Sequence, residues 1–234
     1  MALGDKTSPV AVLDDREDDL ERACDQVEDL DLSVFSVLLR GPRKMDELLD
    51  YLLAKGCGAL ISDHRLHPRG GVDFDGARLV ARANERGLPA ILYSAYVEDD
   101  EATSIRTWRY GIPRIVKKGP GSTGEIAQAL RVAEEEATGH RSLERRGFLT
   151  PITVVDVHDH IGRPTLDVTV TAWRPDVPVT IPIALLPPQS RVGSTSLIGK
   201  IYLGEVNFYA EHESDLFFKD LRLAPVPPSG WRGE

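Results

Sequence analysis

The chain has 234 residues, 41% of them hydrophobic and 28% charged, with a formal net charge of −9; this is globular composition, long enough for one large core or two ordinary ones. Most of the negative charge, roughly −8 of it, lies in residues 1–140, and neither half has the basic footprint that binding a phosphate backbone needs, so nucleic acid is disfavoured as a partner. Cys24 and Cys57 have no metal-ligand spacing. There is no signal-peptide pattern and no run of about 18 apolar residues, so a cytoplasmic protein without a membrane partner is expected.

In chain order, "PVAVLD" (Pro9 to Asp14) reads as a buried strand, and Arg16 to Leu30 as an amphipathic helix with Leu20, Ala23, Cys24 and Val27 on one face. "LSVFSVLL" (Leu32 to Leu39) is a second strand and Met45 to Lys55 a second helix. "GALIS" and Asp75 to Arg86 form the third pair. "LPAILYS" (Leu88 to Ser94) and Asp99 to Tyr110 form the fourth, and "PRIVK" and Thr123 to Ala137 the fifth. Apolar strands alternating with helices predict βαβ units: a (βα)5 doubly wound parallel sheet covered on both faces.

After Gly139 the pattern changes. Residues 140–147 form a charged linker, and 148–234 hold five strand-like segments separated by Gly and Pro turns. Prolines at 175, 178, 182, 187 and 188 exclude long helices. The expected organisation is an α/β domain over 1–139 and a small all-β domain, barrel or sandwich, over 148–234 with a loose C-terminal tail.

In a doubly wound sheet the ligand site lies beyond the carboxyl ends of the strands. Here those ends carry Asp14 and Asp15 (first strand), Asp63 (third), Ser94 (fourth) and Lys117 followed by Lys118 (fifth). Three converging carboxylates call for a divalent cation, and all-oxygen ligands suit Mg2+. A carboxylate beside that ion can attack a phosphoryl group. The Lys117 ammonium and the Ser94 hydroxyl would then meet charge developing on the phosphoryl oxygens.

The acidic pair in "LDD", the strand-ending Asp of "LISD", "YSA" and "IVK" come in order, each at the end of the right strand. On these residues the segment from about 8 to 139 resembles the receiver domain of bacterial two-component response regulators. The resemblance implies that Asp63 accepts a phosphoryl group from a histidine kinase or phosphotransfer protein. It implies Asp14, Asp15, Asp63 and the backbone carbonyl of Arg65 as protein ligands to Mg2+. It implies Ser94 and Lys117 as sensors that shift the face of the fourth helix, fifth strand and fifth helix. The chain would not be an enzyme beyond its own phosphoryl transfer and dephosphorylation. Lys117, not Lys118, is expected in the site. The sequence departs from the family at Lys118, where a proline is usual, at Arg114, where an aromatic usually sits, and in the long loop "HRLHPRGGVDFDG". Arg114 would pair with Glu98, Asp99 or Asp100. His64, Arg65, His67 and Arg69 would either act near the phosphoryl site or belong to a solvated insertion.

In the second half, Asp156, His158 and His160 would share a strand face, as a metal set or as plain polar surface. Of the adjacent pair Phe217 and Phe218, one should face outward if both lie in a strand. The whole is read as a response regulator whose β domain binds an unknown downstream protein, with homodimerisation as one output. The alternatives are a nucleic-acid-binding output domain and a phosphorylation-independent pseudo-receiver scaffold.

Overall fold

The computed structural model describes residues 8–66, 71–95, 97–158, 163–191 and 197–225. The side chains of Glu98, Asp99 and Glu101, the loop residues His67 and Arg69, His160, and the tail from residue 226 lie outside the described residues. The chain divides into two compact units between Ser142 and Leu143.

The first unit alternates strand and helix: β1 (Val10–Asp14), α1 (Glu17–Glu28), β2 (Val34–Leu38), α2 (Met45–Ala54), β3 (Ala59–Ser62), α3 (Gly76–Glu85), β4 (Ala90–Ser94), α4 (97–111), β5 (Ile115–Lys117) and α5 (Thr123–Ala137). All strands are parallel, in the order β2-β1-β3-β4-β5. This is the flavodoxin-like doubly wound order, whose ligand crevice lies where β1 and β3 part the chain to opposite sides.

Strand alternation sorts the core into two layers. Ala11, Leu13, Leu60, Ala90 and Leu92 pack on one face with residues of α2 and α3. Val10, Val12, Ala59, Ile61, Ile91, Tyr93 and Val116 pack on the other with residues of α1 and α5. Acidic Glu17, Asp18 and Asp19 fill the first turn of α1, where the helix dipole favours them. Asp75 caps α3, its carboxylate accepting from the Arg78 amide at 2.7 Å. α4 is irregular: α-helical over Val97–Asp100, π-helical over Glu101–Ile105, α-helical over Arg106–Trp108 and 3-10 over Arg109–Gly111.

The second unit is one antiparallel sheet of β6 (Phe148–His158), β7 (Thr165–Val170), β8 (Arg174–Pro182), β9 (Ile201–Val206) and β10 (Phe218–Leu223), in the order β10-β9-β6-β7-β8. The 3-10 turn after β8 packs against β10 at the far edge, so the sheet curls on itself. Of the two expected forms it is therefore the barrel-like one; no second sheet stacks on it among the described residues. Ile152, Val154, Leu166, Val168, Val179, Ile181, Tyr202 and Val206 fill the concave side. The register slips between Lys219 and Arg222, where Asp220 takes a positive φ of 54°, the mark of a bulge.

Phe217 and Phe218 are both buried, so neither faces outward. Alternation does not govern the pair because β10 begins only at Phe218. Phe217 precedes the strand, gives its amide to Asn207 Oδ1 at 2.6 Å and lies under the Arg145 guanidinium. Among the described residues the exposed aromatic of this unit is Tyr209, which packs against Phe148 and Phe208.

Candidate functional site

Three carboxylates meet at the carboxyl ends of β1 and β3. Oxygens of Asp14, Asp15 and Asp63 all lie within 4.8 Å of one another, and all three residues are buried. The backbone sets this up. Asp14 is the last residue of β1, and Asp63 follows β3 directly, its amide bonded to the Leu13 carbonyl at 2.9 Å. α3 starts against the same spot: a Cβ on Gly76 would stand 1.7 Å from the Asp63 carbonyl oxygen, so only glycine lets the helix come so close.

The cation in this site is Lys118, not Lys117. Lys118 Nζ lies 2.6 Å from Asp14 Oδ2 and 2.7 Å from Asp63 Oδ1, while Lys117 is exposed at the end of β5. The reason is side-chain parity. Asp14 has the parity of Val10 and Val12, and Asp63 that of Ala59 and Ile61, all on the α1/α5 face. On β5 Val116 packs on that face and Ile115 on the other, so position 118 rises over the carboxylates and 117 turns away. The Lys118 amide is held by the Ser94 carbonyl at 3.0 Å. With the lysine at 118, the residue three before it is Ile115, so the departure expected at Arg114 moves to an apolar side chain. Gly119 follows, and no cis peptide bond is present among the described residues.

Burial pushes the Asp14 carboxyl above its usual range, against the pull of Lys118. Burial works against the Lys118 ammonium too, but Asp63 and Asp14 outweigh it and raise its pKa. One ammonium offsets one of three negative charges, and the all-oxygen donor set fits a divalent ion such as Mg2+.

Ser94 ends β4, is fully buried and has the parity of the α2/α3 face. The Arg65 amide donates to Asp63 Oδ2 at 2.8 Å, which sets the backbone after Asp63 against the site. The Arg65 side chain turns to α4, where its Nε donates to the buried Asp100 at 2.7 Å. Of the three carboxylates expected for Arg114, Asp100 pairs with Arg65, and the side chains of Glu98 and Asp99 lie outside the described residues. His64 is buried beneath: its Nδ1 accepts from the Ala77 amide at 3.3 Å, which places the ring proton on Nε2, 2.8 Å from Ser104 Oγ. Burial lowers the His64 pKa and keeps the ring neutral. Beside Lys118 opens a groove of about 560 Å³ lined by Asp19, Arg22, Gln26, Tyr93 and Pro120.

In the second unit Asp156 and His158 do share a face. Asp167 of β7, which sequence spacing could not bring to them, completes the cluster. His158 Nε2 lies 2.8 Å from Asp167 Oδ2, and Thr180 donates to Asp167 Oδ1 at 2.8 Å, making a cross-strand chain.

No family model and no curated protein matches this chain. Solved structures similar to it include a response regulator receiver domain protein from Clostridium thermocellum, at 15% identity over 57% of this chain and 99% of that one, TM-score 0.42. A signal receiver domain of an HD domain-containing protein from Pseudomonas fluorescens Pf-5 matches at 21% identity over 60% and 96%, TM-score 0.41. The beryllofluoride-activated receiver domain dimer of NtrC4 matches at 16% over 55% and 98%, TM-score 0.41. By its own strand order and the carboxylates at its β1 and β3 ends, the first unit has the doubly wound fold of response-regulator receiver domains.

Proposed function

We propose that this chain is a response regulator whose first unit accepts a phosphoryl group on Asp63 and whose second unit binds a downstream protein. The observation that carries this reading is the convergence of Asp14, Asp15, Asp63 and Lys118 at the switch point of the sheet.

An Asp63 carboxylate oxygen attacks the phosphorus of a phosphohistidine on a histidine kinase or phosphotransfer protein. The new P–O bond forms as the P–N bond breaks, and the donor ring, already protonated on its other nitrogen, leaves as neutral imidazole. Asp14, Asp15, Asp63 and the Arg65 carbonyl would hold a magnesium ion, which supplies charge neutralisation to the phosphoryl oxygens. Lys118 shifts from bridging Asp14 and Asp63 to meeting a phosphoryl oxygen. The groove beside Lys118 gives the donor side chain its approach. Water attack on phosphorus later returns the free carboxylate and inorganic phosphate.

The test is intact-mass spectrometry after incubation with acetyl phosphate and Mg2+. One phosphoryl group is expected on the wild-type chain, and none on Asp63→Asn or without the metal. Equal labelling of the variant, or an unlabelled wild type, favours a pseudo-receiver scaffold instead.

A further inference from the structure

α4 is fastened to the loop that follows Asp63 by residues immediately beside that carboxylate. Arg65 and Asp100 form one tie, at 2.7 Å, with the Asp100 side chain only 6% exposed. His64 Nε2 is 3.7 Å from the same Asp100 oxygen and 2.8 Å from Ser104 Oγ. Asp100 is the last residue before the π-helical turn Glu101–Ile105, and Ser104 lies within it. Such wide turns are rare and recur at functional sites.

The Arg65 backbone already sits on the phosphoacceptor, its amide 2.8 Å from Asp63 Oδ2, while its side chain is 39% exposed and has room to turn. A phosphoryl group carries roughly −1.5 to −2 charges, against the single charge of Asp100. Two anions therefore compete for one guanidinium. A buried carboxylate that loses a cation is costly to keep in place.

We propose that the Arg65–Asp100 ion pair is a charge-competition latch: a phosphoryl group on Asp63 draws the Arg65 guanidinium off Asp100, and the released carboxylate leaves its buried seat and loosens the π-turn of α4. Asp100 is a positioning residue, acting through Arg65. The inference rests on Asp63 being the phosphoacceptor. It adds the two-state element through which one event at the site biases the helix that follows the next strand of the chain.

The experiment is amide hydrogen exchange over residues 101–108 in the full chain, with and without beryllofluoride and Mg2+ as the phosphoryl mimic. Loading of Asp63 is checked separately by acetyl phosphate labelling, and folding by circular dichroism. In the wild type, loading should speed exchange of these amides by about 5- to 150-fold. Asp100→Asn and Arg65→Ala should exchange fast in both states, and Arg65→Lys, which keeps the charge, should restore part of the slow state. Unchanged exchange in a wild type whose Asp63 is labelled overturns the latch and leaves the proposed function standing. Absence of labelling overturns the proposed function and with it the trigger. Asp100→Asn exchanging as slowly as the untreated wild type overturns the ion pair as the restraint, whatever the labelling shows.

Discussion

The two sheets of this chain use polar residues in opposite ways. The parallel sheet of the first unit is covered on both faces, so β1, β3 and β4 are buried from end to end, and polarity is pushed to the strand ends. Asp14, Asp63, Ser94 and Lys118 gather on one rim as a result. The antiparallel sheet of the second unit packs its apolar core on one side, and on the other side three strands carry polar residues: Thr153, Asp156 and His158 of β6, Asp167 of β7 and Thr180 of β8. A buried sheet concentrates its chemistry at a point, whereas a half-solvated sheet spreads it over a surface.

The sharpest test of that contrast is at the rim itself. Removing one partner of a buried ion pair costs about 3–5 kcal/mol; Lys118→Ala should cost an amount toward the lower figure, because the ammonium keeps 14% exposure. Added Mg2+ should return part of the loss by replacing the missing charge. Lys117→Ala, at an exposed position, should change stability by no more than about 0.5 kcal/mol. Urea unfolding of the full chain measures both; a costlier Lys117→Ala would mean that β5 is one residue out of register. Next comes a comparison of faces. Leu60 is fully buried in β3, and its truncation to Ala should cost about 2–5 kcal/mol. Leu149, on the outer face of β6 at 61% exposure, should cost less than about 0.5 kcal/mol when truncated in the same way. A large loss at Leu149 would show that the outer face of the second sheet is covered after all.

What could be read from sequence follows the same division. The strands and helices of the first unit are legible because each strand is a continuous apolar run and each helix repeats its apolar face every three to four residues. The rim is legible because Asp14 and Asp63 interrupt such runs. The lysine is not, because "KK" offers two candidates; only the packing of Val116 with the α1/α5 layer decides between them. Asp100, one of three carboxylates that the sequence offers to Arg114, pairs with Arg65, since pairing across loops is set by tertiary approach. In the second unit the five strands are legible but the surface they form is not. The bulges between Val154 and Asp156 and between Val168 and Val170 reset which residues face outward.

Close approach gives a third, smaller contrast. Gly76→Ala would drive a Cβ into the Asp63 carbonyl, rigid backbone that cannot yield. Overpacking of this kind costs about 1–3 kcal/mol, more than the roughly 1 kcal/mol that Ala gains over Gly inside a helix. Gly204→Ala in β9 meets the Leu221 side chain and the Lys219 carbonyl at 3.1 Å, and should cost less than about 1 kcal/mol. Thermal unfolding of the two variants ranks them; a costlier Gly204→Ala would mean that the curled sheet is packed more tightly than the helix start on the rim.

The smallest effect is a titration on the outer face. The hydrogen bond that the His158 ring gives to Asp167, together with the charge of that carboxylate, raises the His158 pKa above 6.5. Burial works to raise the Asp167 carboxyl, but its bonds from His158 and Thr180 prevail and hold it below 3.8. The signs then fix a window. A histidine whose folded pKa is raised adds stability that is fully present below its unfolded value near 6.5 and is lost as pH climbs through the raised value. A carboxylate whose folded pKa is lowered adds stability that is present above 3.8 and lost as pH falls through the lowered value. The pair therefore supports the second unit most between about pH 4 and 6.5, and weakens on both sides. Proton NMR titration of the His158 ring should show a midpoint above 6.5 that moves back toward it in Asp167→Asn. Added salt should shrink the difference, as it does for any exposed pair. An unmoved midpoint in Asp167→Asn would place the source of the shift at Asp156, the directly opposed residue of β6. The outer face would then hold its charges by proximity rather than through the Thr180–Asp167–His158 chain.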